Sequence, residues 1–350
     1  MNKIAAIDDF LKNRYSVREY PALAHQFELW SAARPLAGAK IMDGTPVFAN
    51  TLLKYKNLLA AGAELTVGYC KSIPYDPTII DFLDSIGLET CFECCETGRF
   101  DVILDCNAIY RELQVRYGFT ELTRSGAYHF ANTDCKVINV DDSRIKAIET
   151  CLGTGESFLR AMKKLDYDVA GKNIVVMGCG KVGRGVVFYA GRAGANVIAV
   201  DDPAVAAGCV NGTLISRFAI EKVSEALREA WCVVCCTGQA DALALDEYID
   251  ILRDGKQIMV NMGVEDEWGK AIPQSRMLNN KQPLNFILDE PTLLRYIDPT
   301  MALHNHGAVE LIEKTHTAGL HRISAEVHDA YWLVVEKNGL IADELYAAGL

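Results

Sequence analysis

Along this chain, short apolar runs of strand length alternate with longer stretches that carry apolar residues at helical spacing, and the alternation occurs twice. The first 35 residues read as helical, with apolar positions at Ile7, Phe10 and Leu11 and then at Leu23, Phe27, Leu29 and Trp30. Strand-like runs follow at 40–42, 64–70, 90–92 and 101–105, with helical stretches at 51–61 and 76–86 set among them. A helical pattern then spans 143–165, apolar at Ile145, Ile148, Leu152, Phe158, Leu159 and Met162. The rhythm resumes with strand-like runs at 173–177, 196–200, 232–236, 257–261 and 285–288, and helical stretches at 309–318 and 324–336 close the chain. Strands alternating with helices predict parallel sheets covered by helices on both faces. The expected fold is therefore α/β: two Rossmann-like doubly wound domains joined by a hinge helix. Residues 1–140 with about 305–350 form the first α/β domain, 141–168 the hinge, and 169–304 the second α/β domain.

The bulk properties narrow this picture. A chain of 350 residues exceeds one core of usual size. Its net charge of −11 and the lack of a Lys/Arg stripe argue against nucleic acid as a partner. No apolar run reaches the roughly 20 residues that cross a bilayer, and the first residues lack a signal-peptide core, so a cytoplasmic protein is expected. Twelve cysteines raise the question of metal, chiefly at Cys91, Cys94 and Cys95 and at Cys232, Cys235 and Cys236. The second group lies in an apolar strand pattern, where Cys232 and Cys235 face opposite ways, and the first has no matching pair; no metal site is expected.

One motif carries specific chemistry. Gly178-x-Gly180-x-x-Gly183 follows the apolar run 174–177 and opens a helical stretch. The first glycine permits the tight turn, the second lets backbone approach a pyrophosphate, and the third lets helix pack on strand. The phosphates would lie against the helix N-terminus at Lys181 and Val182. A following strand ends in Asp201, about 20 residues on, where a carboxylate accepts ribose hydroxyls. Asp201 and Asp202 would repel a 2′-phosphate, which favours NAD over NADP. Thr237-Gly238 and Asn261-Met262-Gly263 follow two further strands and complete the expected cofactor site.

These residues, with several others, resemble the adenosylhomocysteinases, which bind NAD and reversibly cleave S-adenosylhomocysteine. The resemblance rests on Val137-Ile138-Asn139-Val140-Asp141-Asp142-Ser143, Lys146, Gly155-Glu156-Ser157 and Asp168-Val169-Ala170-Gly171-Lys172 leading into the glycine motif. It also runs through Pro35 to Ile41, Ala60 to Glu64, Ile103-Leu104-Asp105 and Asn261-Met262-Gly263, over about residues 35–290. It implies a substrate domain, an inserted NAD domain and a hinge that closes on ligand. It also implies that Lys146 lies beside the hydroxyl to be oxidised. Other family positions are changed: the histidine early in the substrate domain falls at Pro46, an aspartate at Cys106, a glutamate at Leu122, an aspartate–asparagine pair at Thr150-Cys151, and a histidine at Val264. Proline, leucine and valine transfer no protons. The family's usual C-terminal extension is replaced by Ala348-Gly349-Leu350, so a homodimer rather than the family's tetramer is expected.

Five residues are candidates for the reaction. Lys146 could accept a hydroxyl proton, and Asp105 could orient a substrate hydroxyl or cap a helix. A family histidine near nicotinamide matches either His304 or His306, with His306 favoured by its following glycine. Cys106 is either a nucleophile with no evident base or a space-filling residue. Two readings follow. One is an NAD-dependent oxidoreductase, or a lyase assisted by transient oxidation, acting on a small polar metabolite rather than hydrolysing S-adenosylhomocysteine. The other is a catalytically silent NAD(H)- or nucleoside-binding sensor or scaffold.

Overall fold

The computed structural model describes residues 2–350 apart from 205, 207 and 208. The chain divides into two compact units. Residues up to Lys146 and Leu294–Asp343 make the first; Ala147–Leu293 and Glu344–Leu350 make the second.

The first unit begins with helices α1 (Lys3–Leu11) and α2 (Pro21–Ala33). Strands β1 (Lys40–Asp43), β2 (Glu64–Tyr69), β3 (Glu89–Phe92), β4 (Phe100–Asp105), β5 (Val115–Glu121) and β6 (Lys136–Asn139) follow. Among them lie α3 (Thr51–Ala60), α4 (Pro77–Ser85) and α5 (Arg124–His129), and after β6 comes α6 (Arg144–Ala147). The second unit holds α7 (Thr154–Lys164), β7 (Asn173–Met177), α8 (Lys181–Arg192), β8 (Asn196–Asp201), β9 (Thr213–Ser216), α9 (Ile220–Glu229), β10 (Cys232–Cys235), α10 (Asp246–Asp254) and β11 (Ile258–Asn261). The chain then returns to the first unit with α11 (Leu294–Glu313), β12 (Gly319–Arg322) and α12 (Ala325–Asn338), and ends in α13 (Ala342–Ala347).

Both sheets are parallel throughout their described pairings. Their orders are β12-β6-β5-β4-β1-β2-β3 and β11-β10-β7-β8-β9. In each, the strand order runs outward in opposite directions from the middle, so a topological switch point lies at β1/β4 in one unit and at β7/β10 in the other. Doubly wound sheets bind ligands beyond the carboxyl ends of the strands at such points. In the second unit alternate strand residues enter different cores: Ile174, Val176, Cys232 and Val234 pack on one face, Val175, Met177, Val233 and Cys235 on the other. The two α/β units are thus doubly wound parallel sheets.

Several elements differ from the sequence reading. The stretch 143–165 is helical throughout but not one uniform α-helix, because Ile148–Gly153 widens into a π-helical turn. There the backbone meets α8 closely: a Cβ on Gly185 would lie 1.7 Å from the Cys151 carbonyl oxygen. The expected strand at 285–288 is instead a 3-10 turn at Leu284–Ile287, since Pro283 lacks an N–H and its carbonyl accepts locally from Phe286. The helix expected from 309 begins earlier, at Leu294, and places both histidines on a helix rather than in a loop. Strands β5, β6, β9 and β12 extend the sheets beyond the runs read from periodicity; β12 is short and only partly buried, which weakens its apolar signal.

Candidate functional site

The cofactor cradle grows from the end of β7. There the chain turns at Gly178, whose φ of +92° favours glycine and whose Cβ would lie 2.8 Å from the Cys236 backbone. Its N–H donates to the Val200 carbonyl at 2.8 Å, tying the turn to β8. Among the described residues, nothing lies within 4 Å of a Cβ built on Gly180. Helix α8 starts one residue later with no side-chain cap, which puts the backbone N–H groups of its first turn at the glycine turn. At Gly183 a Cβ would meet the Gly178 carbonyl oxygen at 1.9 Å, which explains the third glycine as close helix–turn packing. Asp201 ends β8, half-buried, and its carboxylate accepts the N–H groups of Cys179 at 2.6 Å and Asp202 at 2.7 Å. A helix N-terminus beside a glycine turn, with a carboxylate at the neighbouring strand end, fits the pyrophosphate and ribose of a dinucleotide.

The loops after β10 and β11 lie at the same sheet edge, and a buried residue not singled out in the sequence holds them. Glu267 is fully buried and accepts the Thr237 N–H at 2.7 Å, the Thr237 hydroxyl at 2.7 Å and the Gly238 N–H at 3.0 Å. A Cβ on Gly263 would lie 2.3 Å from the same carboxylate. Asn261 is also buried, and its Nδ2 donates to the carbonyls of Gly263, Glu265 and Lys281 at 2.8–3.0 Å. Thr237, Gly238, Asn261 and Gly263 are therefore brought together with the glycine turn, and Glu267 is what fixes the first two and requires the fourth.

In the first unit, carboxylates stand at the ends of three adjacent strands: Asp43 on β1, Asp105 on β4 and Glu121 on β5, all buried. Asp105 accepts the backbone N–H groups of Cys106, Ile109 and Tyr110 at 2.8–3.1 Å. Glu121 accepts those of Asn107, Ala108 and Thr123 at 2.6–3.1 Å. Together they cap a loop whose Asn107 and Ala108 adopt positive φ. Burial, and then the neighbouring Glu121, push the Asp105 carboxyl well above the usual range. Asp43 instead pairs with Lys54 of α3, both nearly inaccessible. Burial pushes the Lys54 ammonium down, and Cys106 lies close enough to oppose that shift.

His304 joins this group. It is fully buried, and its Nε2–H donates to the Thr120 carbonyl at 2.7 Å. Burial, then Lys54, with Lys146 contributing less, push the imidazole toward its neutral form. Lys146 is itself buried at the start of α6, where its backbone N–H donates to the Ser143 hydroxyl. The structure thus gathers Lys146, His304, Lys54, Asp43 and Cys106 near the β1/β4 switch point, with Asp105 beneath them as a loop cap. His306 lies elsewhere: its ring packs against Trp30 and Tyr331, and Nδ1 lies 3.2 Å from the Tyr331 hydroxyl. Burial lowers its pKa to about 4. The glycine after it, Gly307, is explained by packing, since a Cβ there would lie 2.5 Å from the Thr120 side chain. Among the described residues no three His, Cys, Asp or Glu side chains are grouped to hold a metal ion, and no helix is long and apolar enough to cross a membrane.

Comparison with known proteins agrees with the cradle. Residues 150–279 match the family described as the NAD-binding domain of S-adenosyl-L-homocysteine hydrolase. An S-inosyl-L-homocysteine hydrolase of Methanosarcina mazei is 28% identical over 286 residues, 72% of this chain and 68% of that protein. An adenosylhomocysteinase of Thermoplasma acidophilum is 25% identical over 288 residues, 72% and 67% of the two chains. The adenosylhomocysteinase of Thermotoga maritima is 35% identical over 130 residues, 36% of this chain and 31% of that protein. In fold, the structure is similar to a dipicolinate synthase chain from Bacillus halodurans, with a TM-score of 0.52, 12% identity, and 78% and 99% of the two chains covered. Residues 150–279 are thus similar to the NAD-binding domain of the adenosylhomocysteinases, and the cofactor is NAD.

Proposed function

We propose that this protein is an NAD-dependent oxidoreductase, or a lyase assisted by transient oxidation, acting on a small polar metabolite, and that it does not hydrolyse S-adenosylhomocysteine. The observation that carries this is the buried group of Lys146, His304, Lys54, Asp43 and Cys106 at the carboxyl edge of a doubly wound sheet, in a chain whose cofactor is NAD. When bound, NAD supplies hydride acceptance from a carbinol carbon. The amine of Lys146 takes the hydroxyl proton, and His304, held neutral by burial and anchored on the Thr120 carbonyl, takes part as a neutral hydrogen-bonding group rather than as a proton carrier. The unit of Met1–Lys146 and Leu294–Asp343 holds the metabolite, that of Ala147–Leu293 holds the cofactor, and 141–168 serves as the hinge. A cytoplasmic homodimer is the proposed working form, checked by light scattering on the purified protein.

The curated relatives are named as hydrolases of S-inosyl-L-homocysteine or as adenosylhomocysteinases. Against that activity stand Pro46, Leu122 and Val264, which carry no transferable proton where the resemblance places acid–base groups. The test follows reduced-nicotinamide absorbance while hydroxy- and keto-metabolites are screened, with homocysteine release assayed on both thioether nucleosides. Turnover that falls at least a hundredfold in Lys146→Gln supports the proposal. Homocysteine release, or turnover indifferent to Lys146→Gln, overturns it. A silent NAD(H) sensor is favoured by one observation: Asp105 and Glu121 are already saturated with backbone N–H groups. Binding of NAD⁺ by calorimetry with no turnover across the screen would select that reading.

A further inference from the structure

Cys179 lies between the first two glycines of the cradle, and Cys209 lies in the segment after Asp201 and Asp202. Both sulfurs are free thiols in the same hydrophobic cluster, Cys179 buried and Cys209 half-buried. They are hydrogen-bonded to each other, and the Arg184 guanidinium is near both. The backbone N–H of Cys179 is at the same time bound to Asp201, the expected ribose ligand, at 2.6 Å. A thiol pair in contact therefore shares its backbone with the cofactor cradle.

We propose that Cys179 and Cys209 are a reversible oxidation site that gates NAD: a peroxide joins them as a disulfide, and the joined form no longer accepts the dinucleotide. This rests on the reading that the 178–183 turn holds the pyrophosphate. In the first step the Cys209 thiolate attacks one peroxide oxygen and the O–O bond breaks. Cys209 becomes a sulfenic acid, and the departing hydroxide leaves as water. The Cys179 sulfur then attacks the Cys209 sulfur, the S–S bond forms, the S–O bond breaks, and the hydroxide leaves with the Cys179 proton as a second water. Two thiols lose two electrons in total, and one hydrogen peroxide becomes two waters.

Reactivity favours Cys209 as the attacking thiol. Burial pushes Cys91 up to about 12 and Cys151 up to about 11, whereas the hydrogen bond from Cys179, aided by Arg184, lowers Cys209 to about 7. A thiol near that value is about half thiolate at neutral pH and remains a good nucleophile. The consequence for NAD follows from rigidity. A disulfide brings its sulfurs to about 2.05 Å, well inside hydrogen-bond contact. The glycine turn has little room to follow, because Gly178 abuts the Cys236 backbone and Gly183 abuts the Gly178 carbonyl. The displacement falls on the Cys179 backbone, the Asp201 contact and the open space at Gly180.

The test uses the full-length chain, reduced and then treated with a few equivalents of hydrogen peroxide, with NAD⁺ binding measured by calorimetry before and after. The expected result is a Cys179–Cys209 disulfide peptide under non-reducing mass mapping, a Kd for NAD⁺ raised at least tenfold, and recovery with dithiothreitol. Cys209→Ser, with Cys209→Ala as a second variant, should bind NAD⁺ like the reduced wild type and ignore peroxide. Saturating NAD⁺ should slow disulfide formation, since coupling between the two events is reciprocal. Absence of that peptide, an unchanged Kd in the joined form, or an equal loss of affinity in Cys209→Ser overturns the proposal. If the reduced wild type fails to bind NAD⁺, the reading of the glycine turn falls, and the gate falls with it.

Discussion

Two glycines three residues apart make opposite demands on the second unit, and alanine at each separates them. At Gly180 a Cβ meets nothing within 4 Å among the described residues, and φ is −79°, outside the left-handed region. Gly180→Ala should therefore leave the cofactor-free protein melting within a degree or two of wild type. The methyl group would, however, occupy the space in which backbone N–H groups reach the pyrophosphate. Losing one such charge-assisted hydrogen bond is worth about 1.5–3 kcal/mol, or roughly a ten- to hundredfold rise in Kd. At Gly183 a Cβ would stand 1.9 Å from the Gly178 carbonyl oxygen and 3.4 Å from the Cys236 Cβ. Overpacking of that kind costs about 1–3 kcal/mol, and each kcal/mol lowers Tm by about 2–4 °C in a domain of this size. Gly183→Ala should thus lower the apo melting temperature by several degrees and weaken NAD⁺ as well. The assays are differential scanning fluorimetry without cofactor and calorimetric titration with NAD⁺. Wild-type affinity in Gly180→Ala would refute the placement of the pyrophosphate over Gly180. A large apo destabilisation in the same variant would refute the claim that the space there is open.

Other expectations follow from buried charge. Glu267→Ala leaves the Thr237 N–H and hydroxyl and the Gly238 N–H without their acceptor, at about 1–3 kcal/mol per group, so the urea midpoint and NAD⁺ affinity should both fall, with Glu267→Gln recovering part of each. Lys54→Met strands the buried Asp43 and should cost about 3–5 kcal/mol in urea unfolding, whereas Lys54→Met with Asp43→Leu should restore most of it; a double variant no better than the single would show that the pair is not the source. For His306 the folded pKa of about 4 lies below the ordinary 6.5, so its contribution is complete above pH 6.5 and is lost as pH falls toward 4, by up to about 3 kcal/mol. Thermal melts from pH 7 to 4 should therefore fall more steeply for wild type than for His306→Gln. Asp298 acts with the opposite sign: burial raises it to about 7, its contribution is complete below its ordinary 3.8, and it is lost as pH rises through 7. The same melts on Asp298→Asn should show a smaller loss toward neutral pH than wild type.

How much of each site could be read in the sequence depends on whether backbone or side chains build it. In the second unit the cradle is made of turn geometry: a positive φ at Gly178, open space at Gly180, contact at Gly183 and a carboxylate where the next strand ends. Each demand falls on one residue type at a fixed local spacing, so the pattern is visible in about 25 consecutive residues. Glu267 escaped that reading because its role depends on two loops meeting in space, and its neighbours Glu265 and Asp266 are exposed acids that look the same in sequence. The first unit's group is assembled almost entirely by tertiary packing. Asp43, Lys54, Cys106, Lys146 and His304 come from five separate segments, and none has a spacing that links it to another. One local signal was available: Lys54 stands between Leu53 and Tyr55 on a helix buried nearly all round, where a lysine requires a partner. The glycine after His306 illustrates the opposite hazard, since it favoured His306 as a site residue although packing against Thr120 accounts for it. His304, two positions earlier on the same helix, faces the strand ends instead, because a two-residue step on an α-helix turns a side chain to a different face. A histidine pair at that spacing on an α-helix therefore enters two different environments, and the α-helix from Leu294 onward is what separates them.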